Sequence, residues 1–131
     1  MIKSRIIVIS WLIFVVLLFF SAYLVYDRLF PKAPPIDVPD FDRELTIIVE
    51  LPNGSSYEDR HDGVLDTHRC YLDKIRLARP TRIMSVNDYP TGEDYTKISC
   101  VCSDKTYTYY LYEKNGTTYV EVPYEGVYTI A

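Results

Sequence analysis

The chain has 131 residues, with 14 basic and 18 acidic side chains and a formal net charge of −4 at pH 7. This acidic balance argues against nucleic acid as a partner and against adhesion to anionic lipid headgroups, because both ligands are polyanions. Once an N-terminal apolar segment is set aside, about ninety residues remain, which suffices for one small folded unit and leaves no room for a second domain.

The N-terminal segment is the first element of the chain. Residues 6–26 read "IIVISWLIFVVLLFFSAYLVY", an apolar run interrupted by two serines. About 20 such residues, at about 1.5 Å each, cross a bilayer core of about 30 Å, so the run predicts a membrane-spanning helix. A cleaved signal peptide is the alternative, but Phe20 stands where a small residue before Ala22 is needed. Because Lys3 and Arg5 precede the run, the positive-inside rule predicts a single-pass cell-membrane protein with a cytoplasmic N-terminus and an extracytoplasmic C-terminal domain.

A proline-rich stretch follows the apolar run. Four of the eight prolines lie in "PKAPPIDVP", residues 31–39, a composition that favours extended polyproline geometry and a semi-rigid spacer. We therefore expect three parts: a cytoplasmic stub with a signal anchor at 1–29, a linker at 30–42 and an extracytoplasmic domain at 43–131.

The predicted domain begins with a strand and a helix. The stretch "RELTIIVEL", residues 43–51, is rich in β-branched side chains and ends at the turn residues "PNGSS". From Gly63 onward, apolar residues recur at spacings of three and four, which predicts a helix that Asp62 caps and Pro80 ends. Its apolar face comprises Val64, Leu65, His68, Tyr71, Leu72, Ile75 and Ala78.

Three further runs of β-type composition complete the domain: "YTKISCVC", "TYTYYLYE" and "TTYVEVPY". Asn115 and Gly116 join the last two runs and suit the two positive φ values of a type I′ hairpin. That hairpin sets three cross-strand pairs: Leu111 with Val120, Tyr109 with Val122 and Tyr112 with Tyr119. The element order β-α-β-β-β predicts a two-layer α+β fold, in which a mostly antiparallel sheet packs on one helix.

The two faces of the predicted hairpin differ in composition. One face carries residues that we assign to the core under the helix: Tyr107, Tyr109, Leu111, Val120 and Val122. The other face carries a stripe that nothing in the sequence obviously covers: Tyr110, Tyr112, Tyr119 and Glu121. Because tyrosine gives a large contact area at low entropic cost, this stripe predicts a binding surface. The alternative is that the tail "YEGVYTI" or the proline-rich linker lies across it.

The polar stretch "SVNDYP", residues 85–90, suggests catalysis at first sight. Ser85 and Asn87 match the Ser-Xaa-Asn motif of penicillin-recognising enzymes, but the sequence lacks the Ser-Xaa-Xaa-Lys and Lys-Thr-Gly motifs of those enzymes. Neither histidine has the sequence context of a hydrolase triad. Serine, asparagine and aspartate also bond to their own nearby backbone in turns, and Pro90 favours an extended residue before it. We therefore interpret the stretch as a structured turn, with a binding role open for Ser85, Asn87 and Asp88, and we assign no catalytic residue.

The densest polar cluster lies around the start of the predicted helix and comprises Glu58, Asp59, His61, Asp62, Asp66 and His68. No pair in it has the spacing of a metal-binding helix motif such as His-Glu-Xaa-Xaa-His, so we expect neither a metal nor a cofactor. The three cysteines allow at most one disulfide, between Cys70 and either Cys100 or Cys102. Three buried thiols are the favoured alternative in a chain with so few cysteines.

Two stretches, "ARPTRIMSVNDYPTGEDYTKI" and "YYLYEKNGTTYVEVPYEGVY", carry a family resemblance. They contain Pro-Thr-Arg at 80–82, Ser-Val-Asn-Asp-Xaa-Pro at 85–90, Tyr-Glu-Lys-Xaa-Gly at 112–116 and Pro-Tyr-Xaa-Gly-Xaa-Tyr at 123–128. This pattern resembles an uncharacterised family of Firmicutes cell-envelope proteins, known as a domain of unknown function. The resemblance covers residues 79–130 and implies a small, anchored, extracytoplasmic Gram-positive protein. It implies no activity.

We therefore expect a membrane-anchored, non-enzymatic binding module with a protein or cell-envelope partner. Its expected binding surface comprises Tyr110, Tyr112, Tyr119, Glu121, Ser85, Asn87 and Asp88. One alternative is an envelope hydrolase or an inhibitor that uses the turn at 85–88. A second alternative is a small structural subunit of a membrane complex.

Overall fold

The structure is a computed structural model that describes residues 2–40, 44–61 and 69–131. It contains two compact units, Met1–Lys32 and Ala33–Ala131. The first unit is built on helix α1, Ile2–Leu29, in which every residue is exposed. Ser21 lies in its apolar run and donates its hydroxyl to the Leu17 carbonyl at 2.8 Å, so its polar group is satisfied inside the helix. The helix is long and apolar enough to cross a bilayer, and an N-terminal signal sequence shares both properties.

The second unit is built on one antiparallel sheet. Within the described residues, its strands are β1 Leu45–Glu50, β2 Ser56–His61, β3 Arg79–Pro80, β4 Thr96–Cys102, β5 Thr106–Lys114, β6 Thr117–Val122 and β7 Gly126–Ile130. They lie in the order β2-β1-β4-β5-β6-β7-β3, and every neighbouring pair is antiparallel. Together with helix α2, Arg69–Arg76, this sheet confirms the predicted α+β class.

One face of the sheet, called here the helix face, holds the core. Alternate residues of the central strands point to it, and several of their side chains are fully buried: Ile47, Val49, Ile98, Cys100, Tyr109, Val120 and Tyr128. Leu72 and Ile75 of α2 belong to the same apolar cluster. Their spacing of three residues is that of one helical face, as the sequence predicts.

The β5–β6 hairpin confirms the predicted turn. Asn115 has φ 52° and Gly116 has φ 75°, the two positive values that this turn requires. The register pairs Leu111 with Val120 and Tyr112 with Tyr119. Since side chains alternate along a strand, this register separates the core residues of the hairpin from those on the opposite face.

The structure adds three strands to the predicted order. The polar segment "SYEDRH" forms β2, which pairs with β1 at one edge of the sheet. The short β3 lies at the other edge, beside β7. The tail that was a candidate cover for the tyrosine stripe is itself β7. The predicted helix is observed from Arg69, and its part at 62–68 lies outside the described residues.

Part of the proline-rich segment packs on the second unit. Residues 33–40, called here the strap, belong to the second compact unit, and Ala33, Ile36 and Val38 pack against the core cluster. The hydroxyl of Tyr128 donates to the Pro34 carbonyl at 2.7 Å. These contacts satisfy backbone carbonyls of an extended segment, so the strap covers part of the helix face.

Further polar contacts hold the rest of the strap. The Tyr109 hydroxyl donates to the Asp37 carbonyl, and Arg76 of α2 donates to the Pro39 carbonyl at 2.6 Å. Lys105 forms an ion pair with the Asp37 carboxylate at 3.0 Å. The strap therefore runs across the sheet from β7 to α2, and polar contacts hold it near both ends and in the middle.

Candidate functional site

The residues between β3 and β4 cross the face of the sheet opposite α2. β3 lies at one edge of the sheet, and three strands separate it from β4. Residues 81–95, called here the crossing loop, must therefore pass over β7, β6 and β5 on what we call the loop face. At its start, the amide and hydroxyl of Thr81 both donate to the Val127 carbonyl, at 3.1 and 2.6 Å. The Val127 amide in turn donates to the Ile83 carbonyl at 3.0 Å.

A buried polar contact fixes the middle of the crossing loop. The Ser85 hydroxyl donates to Glu121 Oε1 at 2.6 Å, and the two residues are only 4% and 8% exposed. The Tyr112 phenol interacts with the same carboxylate, whose charge helps to raise the pKa of Tyr112. A carboxylate taken out of water requires a donor, so the Ser85 hydroxyl stabilises Glu121 in the sheet.

The tyrosine stripe is partly covered, which differs from the sequence expectation. Tyr110 is 7% exposed, because Tyr95 of the crossing loop packs edge-on against it with ring centroids 5.0 Å apart. Tyr112 and Tyr119 are half-buried and stack on each other at 5.5 Å. The cover comes from the crossing loop, whereas the tail and the proline-rich segment were the candidates considered from sequence.

The remaining predicted residues lie on the outer side of the same loop. Asn87 and Asp88 are exposed. The Ser85 hydroxyl also lies 3.5 Å from the Asn87 carbonyl, and the Tyr124 hydroxyl donates to Asp88 Oδ1. The structure thus brings all seven predicted site residues to the loop face. They form a buried hydrogen bond, a group of contacting tyrosine rings and an exposed turn.

Apolar side chains project from the crossing loop around its buried serine. They are Ile83, Met84, Val86 and Tyr89, and each is more than half exposed. Val86, directly after Ser85, is 72% exposed. These residues were not among the predicted site residues, because only the polar side chains of the stretch suggested a binding or catalytic role. Ser85 is buried between the exposed Met84 and Val86. In the sequence, this alternation of apolar and polar residues is the signal for one side chain that points to the sheet and two that point to solvent.

The sequence of this unit matches a family with no assigned activity. Residues 34–129 match DUF5301, described as a domain of unknown function (DUF5300). The chain belongs to the DUF5301 family. The NMR structure of a protein from Ruminococcus gnavus is similar, with a TM-score of 0.58 and 28% identity, covering 75% of this chain and 91% of that chain. None of the curated proteins matches the sequence. Because the family match starts at Pro34, the DUF5301 unit includes the strap.

The electrostatics of the DUF5301 loop face favour neutral phenols. Burial, followed by the charge of Glu121 and a hydrogen bond to it, raises the pKa of Tyr112 to about 12. Burial also raises the pKa of Tyr110. On the exposed side, the hydrogen bond to Asp88 raises the pKa of Tyr124. At neutral pH these three phenols therefore keep their protons, and the Tyr124 hydroxyl donates to the Asp88 carboxylate.

A groove lies beside the crossing loop on the loop face of the DUF5301 unit. Its volume is about 610 Å³, which is in the range of small-molecule and side-chain sites. The turn after β1 forms one wall, and the end of the crossing loop forms the other. The aromatic and charged residues that line it are Tyr89, Tyr95, Tyr110, Glu50, Glu93, Asp94 and Lys97.

The other candidate chemistries have less structural support. Most of the predicted polar cluster lies outside the described residues or has undescribed side chains, and Glu58 is exposed. Among the described residues, no group of three His, Cys, Asp or Glu side chains is arranged to hold a metal ion. All three cysteines are described and none is in a disulfide. Cys100 is buried as expected, whereas Cys70 is exposed.

Proposed function

We propose that this DUF5301 protein is a membrane-anchored, extracytoplasmic binding module of a Gram-positive cell envelope, and that it recognises a protein partner without catalysing a reaction. The observation that carries the proposal is the crossing loop. A buried hydrogen bond at Ser85 holds this loop from below, while its apolar side chains project into solvent.

The composition of the exposed loop supports protein recognition. Neighbouring exposed apolar residues on a soluble domain are typical of an interaction site, and methionine and tyrosine are enriched at interfaces. The loop is held at Thr81 and Ser85 by hydrogen bonds to the sheet. A loop that is already ordered loses less conformational entropy when a partner binds.

The position of Ser85 supports binding rather than hydrolysis. A nucleophile has to be reached by its substrate and activated by a base. Ser85 is 4% exposed and donates to a carboxylate, which is a weak base for a serine hydroxyl at neutral pH. This geometry fits a contact that positions a loop.

Site-specific crosslinking in intact cells tests the binding surface. A photo-crosslinking amino acid at Met84 is expected to capture one discrete partner, and the additional change Val86→Asp is expected to abolish the product. The same amino acid at exposed Ser103, which lies outside the crossing loop, serves as the control. Equal products at Met84 and Ser103, or a product that survives Val86→Asp, would contradict the proposal.

Labelling of Cys70 tests the extracytoplasmic location. Cys70 is exposed, Cys100 is buried and Cys102 is half-buried. A membrane-impermeant maleimide is therefore expected to label the wild-type chain in intact cells, and Cys70→Ser is expected to remove most of the label. Labelling only after cell lysis would place the unit in the cytoplasm. The mass of the labelled chain, compared with 15.3 kDa for the full sequence, separates an uncleaved anchor from a cleaved signal sequence.

A further inference from the structure

The groove beside the crossing loop has an excess of negative charge. Of its four charged lining residues, three are acidic. Lys97 contacts Glu50 at 2.8 Å, so the single lining ammonium is already paired with one carboxylate. Glu93 has a partner at the rim, Lys114, at 3.1 Å. Asp94 is exposed at the same wall. The electrostatic field of this groove therefore favours a cation over an anion.

Aromatic rings supply the second feature of the groove. Tyr89 is 54% exposed, and its ring centroid lies 6.5 Å from that of Tyr95. Tyr95 is held in turn by its edge-on contact with Tyr110, at an interplanar angle of 84°. A cation within about 6 Å of a tyrosine ring face is attracted by the ring quadrupole. The carboxylate of Asp94, next to Tyr95 in the lining, adds a direct Coulombic attraction.

The walls that carry these groups are well defined. The Leu51 amide donates to the Ser55 carbonyl at 2.8 Å, and the Gly54 amide donates to the Leu51 carbonyl at 3.0 Å. The Asn53 side chain accepts from the Ser55 amide at 2.9 Å. This turn forms the wall opposite Tyr89 and Tyr95. A groove with a hydrogen-bonded turn on one side and rings in mutual contact on the other is shaped before a ligand arrives.

We propose that this groove binds a lysine or arginine side chain of the partner protein, with its cationic group over the rings of Tyr89 and Tyr95 and paired with Asp94. The inference rests on the proposed binding function and names the chemistry that the partner presents next to the apolar loop. A glutamate side chain would be repelled by the Asp94 carboxylate and by the net negative charge of the lining. A neutral sugar would use the rings but not the charge.

Peptide titration of the full chain tests this assignment. The ¹⁵N-labelled protein in neutral detergent micelles is titrated with Ac-Ala-Lys-Ala-NH₂ and followed by amide chemical shifts. Saturable shifts are expected for residues 89–97. The matched peptide with norleucine, which keeps the chain length and removes the charge, is expected to bind about tenfold more weakly. Affinity for the lysine peptide is expected to fall at high salt, since exposed charges are screened.

Two variants and two controls locate the effect. Asp94→Asn and Tyr95→Leu are each expected to weaken the lysine peptide by about threefold to tenfold. Glu113→Gln and Tyr57→Leu likewise neutralise one carboxylate and remove one phenol ring, but away from the groove, and are expected to leave the affinity unchanged. Sheet amide signals show that each variant remains folded, and Asp94→Asn keeps the test decisive if Tyr95→Leu disturbs the packing of Tyr110.

Several results would overturn the assignment. These are equal binding of the norleucine or glutamate peptide, tighter binding of a chitin oligosaccharide at the same amides, shifts outside the groove, or no shifts at millimolar peptide. The proposed binding function fails separately, if the crosslinking amino acid at Met84 captures no partner. The groove assignment alone fails if Asp94→Asn abolishes peptide binding but leaves capture at Met84 unchanged.

Discussion

The two faces of the sheet both carry tyrosines, but different elements cover them. On the helix face, Tyr109 and Tyr128 are fully buried, and their hydroxyls donate to backbone carbonyls of the strap. On the loop face, Tyr112 stacks on Tyr119, and Tyr110 contacts the ring of Tyr95. The helix-face cover is apolar and extensive, whereas the loop-face cover depends on a few polar and aromatic contacts.

The two covers therefore have different effects. The helix-face cover stabilises the fold, and the loop-face contacts hold the crossing loop in position. Apolar burial is roughly proportional to area and is shared by many residues, so the helix face contributes most of the folding free energy. A buried hydrogen bond depends on one donor and one acceptor, so a single substitution at Ser85 can release the crossing loop. Four pairs of variants test how the cover of each face contributes.

The largest expected effect is truncation of Tyr128. Tyr128→Ala leaves a cavity in the core and removes the hydroxyl that holds Pro34, so we expect a loss of about 3–5 kcal/mol in the free energy of unfolding. The matched loop-face change, Tyr119→Ala, removes a stacked but half-buried ring and is expected to cost about 1 kcal/mol. Urea unfolding of the full chain in neutral detergent measures both. Equal losses would mean that the two faces share the stabilisation.

A glycine pair tests the strap. A Cβ added at Gly126 would lie 2.5 Å from Ala33 Cβ, so Gly126→Ala forces the strap away and is expected to cost about 1–3 kcal/mol. Gly116→Ala meets open space and has only the unfavourable φ of +75°, for about 1 kcal/mol. Hydrogen exchange separates them: the Ala33 amide, which donates to the Thr81 carbonyl, should exchange faster only in Gly126→Ala. Unchanged protection of Ala33 would show that the strap tolerates the methyl group.

The third comparison removes the polar contact under the crossing loop. Ser85→Ala removes the hydroxyl that donates to the buried Glu121 carboxylate, so we expect a loss of about 1–2 kcal/mol in unfolding free energy. Proteolysis at residues 83–89 should become faster, because the loop is freed locally. Ser103→Ala, at an exposed serine, is the control. Slow proteolysis in Ser85→Ala would show that Thr81 and the aromatic contacts hold the loop without it.

Local patterns in the sequence predicted the fold class well. The Asn115-Gly116 turn and the alternation of β5 and β6 depend on neighbouring residues, so they predicted the hairpin, its register and its buried side. The apolar spacing likewise predicted that Leu72 and Ile75 face the core. The strand β2 was not predictable in this way, because an edge strand of sequence "SYEDRH" has no apolar alternation.

The covers of both faces depend on contacts between distant residues. Ser85 and Glu121 are 36 positions apart, and Tyr128 and Pro34 are 94 apart. The prolines indicated an extended segment, but not the tyrosine hydroxyls that bind its carbonyls. The predicted site residues were therefore brought together by a loop whose path only the strand order reveals. Tyr89 and Tyr95 were missed because their role arises from that path.

The smallest expected effect is on alkaline stability, through one tyrosine on each face. An unfolded tyrosine loses its proton near pH 10, whereas Tyr112 in the fold retains it up to about 12. The unfolded state then binds fewer protons, so this contribution to stability is present below pH 10 and is lost as the pH rises towards 12. Tyr112→Phe should reduce the fall in unfolding free energy between pH 10 and 12. Burial also raises the pKa of Tyr109, so Tyr109→Phe should reduce the fall as well. Urea midpoints at pH 8, 10 and 11 measure the slopes, and an unchanged slope in either variant would show that this phenol titrates in the fold as it does in the unfolded chain.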